Sequence, residues 1–249
     1  MRGGVWIWPR AFTLENYQMA FEDPTIGTSL LISVSATLLS IVLGLIVTAL
    51  AAYALSIKTL PGRSLMNFFW YFTTIFGGGM VPYYMVLRDL KLTSSFWLYV
   101  IPGLYSFYNF VLLRSNFATI PGELRESAQL DGAGYSTIFL KIYSPLCKPV
   151  YATVALFVAV GQWNSWFDAM LYNRMSSNLT TLQYELMKLL SSVTNQGTSA
   201  EAMKNAAGTV TPTSVRAAAT IITMLPIICI YPFLQKYFVA GLTLGGVKE

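Results

Sequence analysis

Residues 120–150 read IPGELRESAQLDGAGYSTIFLKIYSPLCKPV. This stretch mixes charged and apolar residues at helical spacing, and strongly apolar segments flank it on both sides. Leu124, Ala128 and Leu130, set against Glu123, Arg125, Glu126, Gln129 and Asp131, outline a short amphipathic helix. Gly132-Ala133-Gly134 breaks that helix, and residues 135–143 form a second short one that Pro145 ends. Such a pair, set between apolar runs, lies outside a bilayer and docks into another protein.

The flanking segments supply the bilayer. The 249 residues are 55% hydrophobic and 11% charged, with no histidine, where roughly a quarter charged is usual for a soluble domain. Several apolar runs approach or exceed the ~20 residues that cross a ~30 Å hydrocarbon core as helix. The fold class is therefore all-α, a polytopic membrane helix bundle. The runs are continuous rather than alternating, which argues against a β-barrel. Spans are expected at about 29–55, 65–87, 95–113, 149–171 and 214–234, within a transmembrane domain 27–235 that includes the loop 120–148. An aromatic, polar segment 1–26 precedes them, and a tail 236–249 follows.

Inside the first span, Ser33, Ala36, Ser40, Gly44, Thr48 and Ala52 recur at about helical spacing. Such a strip lets another helix approach closely, within one subunit or between two. Gly77-Gly78-Gly79 and Pro82 interrupt the second span, and a broken helix at membrane depth is one way to shape a transport pathway. A plain kink is the alternative. The fourth span ends in Gln162, Trp163 and Asn164, followed by Trp166 and Asp168. Polar side chains that deep face a bundle interior or a wet cavity. Gly78, Gly79, Tyr83, Gln162, Trp163 and Asn164 are thus the candidate pathway lining, against a reading of the tryptophans as interfacial anchors. A long polar loop, 172–213, carries a helix at 181–193 and then the turn-prone run Asn195, Gln196, Gly197, Thr198 and Ser199.

Several chemistries are excluded by what the chain lacks. No glycine-rich phosphate loop ending in Lys-Ser or Lys-Thr occurs, so ATP is not bound in that way. Without histidine there is no His-based triad, zincin motif or haem ligand. Cys147 and Cys229 lack metal-ligand spacing, and no metal site is expected. Asp168 stands alone near the end of a span, too little for a proton relay. A net charge of +5 without a clustered basic tract gives no sign of nucleic-acid binding. A passive translocation subunit driven by a partner fits better than an enzyme. Charge orients it only weakly. One side carries Lys58, Arg63, Arg114, Arg125, Lys141, Lys148, Lys236 and Lys248, and the other as many basic residues spread over longer segments.

The spacing in 120–150 carries a resemblance. Glu126-Ser127-Ala128, then Gly132 after three residues, then Ile142-Tyr143-Ser144-Pro145 after nine more, resembles the EAA signature of the membrane subunits of bacterial ABC importers. Serine replaces the first alanine, and serine replaces the leucine before the proline. The ending Gly241-Leu242-Thr243-Leu244-Gly245-Gly246-Val247-Lys248 resembles the tail of carbohydrate-uptake permeases of the maltose-permease G type. The stretches Phe12-Thr13-Leu14-Glu15-Asn16-Tyr17 and Gly161-Gln162-Trp163-Asn164-Ser165-Trp166-Phe167 are similar to the same group, and within it to polysaccharide and lipo-oligosaccharide permeases.

That resemblance implies a type I ABC importer permease in the bacterial cytoplasmic (inner) membrane, moving oligosaccharide through an alternating-access pathway. A permease for a non-sugar solute is the nearest alternative; a secondary transporter or membrane enzyme is a more distant one. The implied partners are a second homologous permease subunit, two ATPase subunits and an extracytoplasmic solute-binding protein, besides the bilayer. ATP and Mg would be used by the ATPase, with no cofactor on this chain. The ATPase-coupling residues implied are Glu126, Ser127, Ala128, Asp131, Gly132, Ala133, Ile142 and Pro145. Gly245, Gly246, Val247 and Lys248 would touch the same partner, and Asn195, Gln196, Gly197 and Thr198 would face the binding protein. With the EAA loop cytoplasmic, segment 1–26 becomes extracytoplasmic and the tail cytoplasmic. The span that usually comes first in this group is then absent, so Met1 is expected not to be the native start.

Overall fold

A computed structural model describes residues 24–173, 176–196, 217 and 220–229. Every regular element among them is helical. The longest, α1 (Pro24–Ser56), carries no charge along its 33 residues and begins a few residues earlier than the span expected at 29–55. Pro24 opens it where its missing N–H has no intrahelical acceptor to lose. α1 is the central post, and α4 (Phe107–Ala118) and α7 (Lys148–Trp163) are its main partners. The small-residue strip explains the approach: Ser33, Ala36, Ser40, Gly44, Thr48 and Ala52 are all buried within this chain. The large residues Leu31, Leu38, Val42, Ile46 and Leu50 point outward from the same helix. The strip thus serves packing inside the subunit.

The second expected span is divided. α2 (Arg63–Ile75) stops, residues 76–79 run non-helically, and α3 (Met80–Asp89) resumes from Gly79 at φ 86°. The third, expected as one helix over 95–113, consists of two 3-10 turns, Phe96–Tyr99 and Pro102–Leu104, followed by α4, with a 43° bend between the turns and the helix. Pro102 starts the second turn, and the Ser106 side chain caps α4 by accepting from the Asn109 N–H at 3.4 Å. Proline and a capping serine impose this break, which hydropathy does not register.

After α5 (Gly122–Leu130) comes α6 (Tyr135–Leu146), whose middle turn, Phe139–Tyr143, is π-wound. Pro145 does not end the element as expected. Its ring would press on the carbonyl four residues back in an ordinary α-helix, and the wider π turn just before it relieves that conflict. The chain instead breaks at Cys147, where α6 and α7 meet at 81°. The fourth expected span breaks again at residues 164–166 before α8 (Phe167–Tyr172). α9 (Leu182–Gln196) runs past the end of the helix expected at 181–193. α10 (Thr220–Cys229) is the described part of the last apolar segment.

By length and composition, one described helix can cross a membrane alone. The number rises to three if each of the two bent pairs, 96–118 and 135–163, counts as one span. Two clusters hold the bundle. One joins the C-terminal half of α1 to α4, α6 and α7 through Tyr53, Phe110, Leu113, Phe117, Ile138 and Tyr143. The other joins its N-terminal half to α3, the 96–99 turn, α8 and α9 through Ala36, Leu87, Tyr99, Tyr172 and Tyr184. Polar ties reinforce the second: the Ser33 hydroxyl accepts from the Leu182 N–H at 2.9 Å, and Ser29 and Thr180 share a hydrogen bond of 2.9 Å.

Candidate functional site

The candidate site lies where α5 turns into α6. Gly122–Leu130 is short and exposed, and none of its residues is buried. It ends in a closed cap. The Gly132 N–H donates to the Gln129 carbonyl at 3.0 Å, and the Ala133 N–H donates to the Ala128 carbonyl at 2.9 Å. Gly132 takes φ 79°, the left-handed conformation this paired closure needs. A Cβ on Gly132 would find open space, so backbone geometry rather than crowding selects glycine there.

The cap sorts the residues around it. Glu126, Ser127 and Asp131 are exposed. Ala128 and Ala133 are half-buried against the main core, and Ile142 on α6 joins them. Pro145 is exposed. Small residues thus seat the loop on the bundle, while Glu126, Ser127 and Asp131 stay exposed. The structure brings seven of the eight expected coupling residues to one turn and its support; Pro145 sits apart, at the bend.

Tyr53, near the end of α1, is a member of this site that sequence reading missed. Its hydroxyl donates to the Tyr135 carbonyl at 3.1 Å, fixing the first turn of α6. Its ring meets Phe139 and Tyr143 at 5.1 Å each and Phe117 edge-on at 6.4 Å. The signal available was a lone aromatic in an alanine-rich helix end, Ala51-Ala52-Tyr53-Ala54. Arg125 was missed in another sense: it lies on the half-buried side of α5, and its Nε is shut from solvent without a partner.

The candidate pathway residues do not share one site. Trp163 is buried, and its Nε1 donates to the Thr223 carbonyl of α10 at 2.9 Å. It packs with Ile26 and Leu182 and borders an apolar cavity of about 330 Å³ that none of the other five candidates lines. Trp163 thus packs within the bundle, tied to a partner distant in sequence. Asn164 caps its own helix, with Nδ2 donating to the Val160 carbonyl at 2.8 Å. Gln162 is half-buried. Gly78 and Gly79 form the α2–α3 break, and Tyr83 meets Tyr172 at 6.0 Å. Asn195 and Gln196 are the last residues of α9 rather than a turn. Gly197 and Thr198, and the tail residues Gly245, Gly246, Val247 and Lys248, lie outside the described residues. Among the described residues no cluster of three His, Cys, Asp or Glu side chains is placed to hold a metal ion.

This fold and this loop can be set beside known proteins. No family model matches the chain. Protein LplC of Bacillus subtilis is 38% identical over 97% of this chain and 81% of its own length. The polygalacturonan/rhamnogalacturonan transport system permease protein YtcP of the same organism is 34% identical over 96% of this chain and 83% of its own. A bacterial ABC transporter involved in import of the acidic polysaccharide alginate contains a chain that superposes with a TM-score of 0.84 at 30% identity, covering 95% of this chain and 84% of that one. The chain belongs to the carbohydrate ABC importer permeases. The permease is thus a membrane protein and a transport subunit, and ATP hydrolysis in these systems belongs to a separate ATPase. Its helix bundle is the one this family uses, and an ATPase and a solute-binding protein are its classes of partner.

Proposed function

We propose that α5 is the coupling helix of this permease, seated in a groove of its ATPase. The supporting observation is the closed cap at Gly132: it fixes a short helix on which Glu126, Ser127 and Asp131 are exposed. An exposed amphipathic helix on a rigid support suits a partner's groove. Glu126 would make polar contacts there, and Ala128 and Ala133 hold the loop to its own bundle. In this reading α5 faces the cytoplasm of a bacterial cell, and segment 1–26 lies outside the cytoplasmic membrane. The tail residues Gly245, Gly246, Val247 and Lys248 contact the same ATPase, and the loop after α9 meets the binding protein. A second, homologous permease subunit and two ATPases complete the complex; the ATPases use ATP and Mg, while this chain binds neither.

Single cysteines at Ser127 and Gln129 are expected to crosslink to the ATPase in the assembled complex, with a yield that changes with nucleotide. Failure of every α5 position to crosslink in a transport-active complex removes the coupling role.

The cargo is an oligosaccharide released from a complex polysaccharide. The relatives support this class, since one carries polygalacturonan and rhamnogalacturonan in its name and the structural neighbour imports alginate. Calorimetry on the cognate binding protein with a panel of oligosaccharides is expected to show binding of chains of several sugar units. Binding of peptides or amino acids instead would reassign the cargo.

A further inference from the structure

A cavity of about 530 Å³ lies at the Ser56 end of α1, behind the coupling helix. Lys58, Arg63, Arg114 and Arg125 line it, with Glu126 as its one carboxylate. The two ion pairs among the described residues, Arg88–Asp89 and Lys188–Glu185, lie elsewhere, so none of these four cations is neutralised by a carboxylate of the described chain. Two guanidiniums are held in place. Arg63 Nε donates to the Leu55 carbonyl at 2.9 Å, and an Arg114 terminal nitrogen donates to Asn67 Oδ1 at 2.7 Å. Each keeps further N–H groups for another acceptor. Arg125 is the odd member: its Nε is sealed from solvent and has no acceptor. Four cations around one space, one with a buried unanswered donor, form a site short of an anion. The guanidinium fork matches a phosphate group.

We propose that this cavity binds the phosphate headgroup of an anionic phospholipid from the adjoining leaflet. Two observations favour a lipid over free phosphate. Val111, Phe117 and Ile120 give the cavity an apolar wall, and Val111 is exposed where an acyl chain would begin. The cavity also sits where the apolar α1 ends and a short loop bearing Lys58 leads to Arg63, the depth at which basic pockets collect anionic headgroups. Since Arg125 belongs to α5, the bound lipid holds the coupling helix from behind, and leaflet composition sets how firmly. The site itself stands on the cavity; its link to coupling rests on the role proposed for α5.

The test is native mass spectrometry of the detergent-solubilised complex titrated with phosphatidylglycerol and with phosphatidylcholine. Phosphatidylglycerol is expected to be retained about tenfold over phosphatidylcholine, and Lys58→Gln with Arg125→Gln is expected to abolish that preference. Lys58→Gln alone, on an exposed loop side chain, gives a partial loss, while Lys91→Gln on the α3 end changes nothing. Equal retention of the two lipids overturns the proposal, as does a preference that survives the double substitution. Displacement of the lipid by millimolar inorganic phosphate identifies a free-phosphate site instead. Retention by the isolated subunit but not by the complex shows that an acidic group of a partner protein fills the cavity. Because lipid retention is read without nucleotide or transport, its failure leaves the cysteine crosslinking of α5 unaffected.

Discussion

Gly132 shows how much one residue can decide. Its φ of 79° closes α5 and turns the chain into α6, and the space around its missing Cβ is open. A side chain there costs backbone energy rather than packing, roughly 1–2 kcal/mol for most residues and least for asparagine. Gly132→Val is therefore expected to lower ATP-driven uptake in proteoliposomes several-fold, while Gly132→Asn retains most of it and both still receive solute from the binding protein. Equal uptake by the valine variant and the wild type would show that the turn is not constrained. This position was legible in the sequence, because a glycine after an amphipathic run marks a helix end. Trp163 was not. Its indole is committed to the Thr223 carbonyl sixty residues away in sequence, and local pattern carries no information about that bond.

At the scale of elements, α1 was legible and its neighbours were only partly so. A continuous apolar run with a small-residue strip specifies both the helix and the face that packs. Ala36 is fully buried on that face among Leu98, Tyr99 and Ala169. Ala36→Leu is expected to overpack the site at a cost of about 1–3 kcal/mol, read as a lower thermal midpoint in detergent. Leu38→Ala, on the exposed side of the same helix, should stay within about 0.5 kcal/mol of wild type. A matched loss at both positions would place the strip elsewhere. Hydropathy averages over the breaks that set the other elements: Pro102 and the 76–79 interruption both sit inside apolar stretches, and the π turn before Pro145 has no hydropathy signature of its own. Composition therefore locates these stretches while local backbone chemistry divides them.

Across the whole molecule, the division of surfaces follows from those breaks. α2 has no buried residue, and Leu65, Phe69, Ile75 and Phe76 stand more than half exposed beside Val81 of α3. Water does not face such a surface in a membrane subunit; lipid or a neighbouring subunit does. The four cations near α5 gather from three separate stretches, residues 58–63, 114 and 125, each unremarkable alone. Only the fold makes them one site, which is why charge counting along the chain says nothing of the cavity.

The 81° bend at Cys147 has a mechanical consequence. Two rods joined at nearly a right angle do not pass thrust along a common axis. A displacement along α6, close to the turn that the ATPase is proposed to grip, reaches α7 almost wholly as a sideways push on one end. Sliding α7 along α1 would shear interlocked side chains, whereas rocking it about its far end needs only small shifts at the contact. Under the coupling role proposed for α5, the joint would favour tilt over piston motion, and the angle between α7 and α1 would be the coordinate that a stroke at the turn changes.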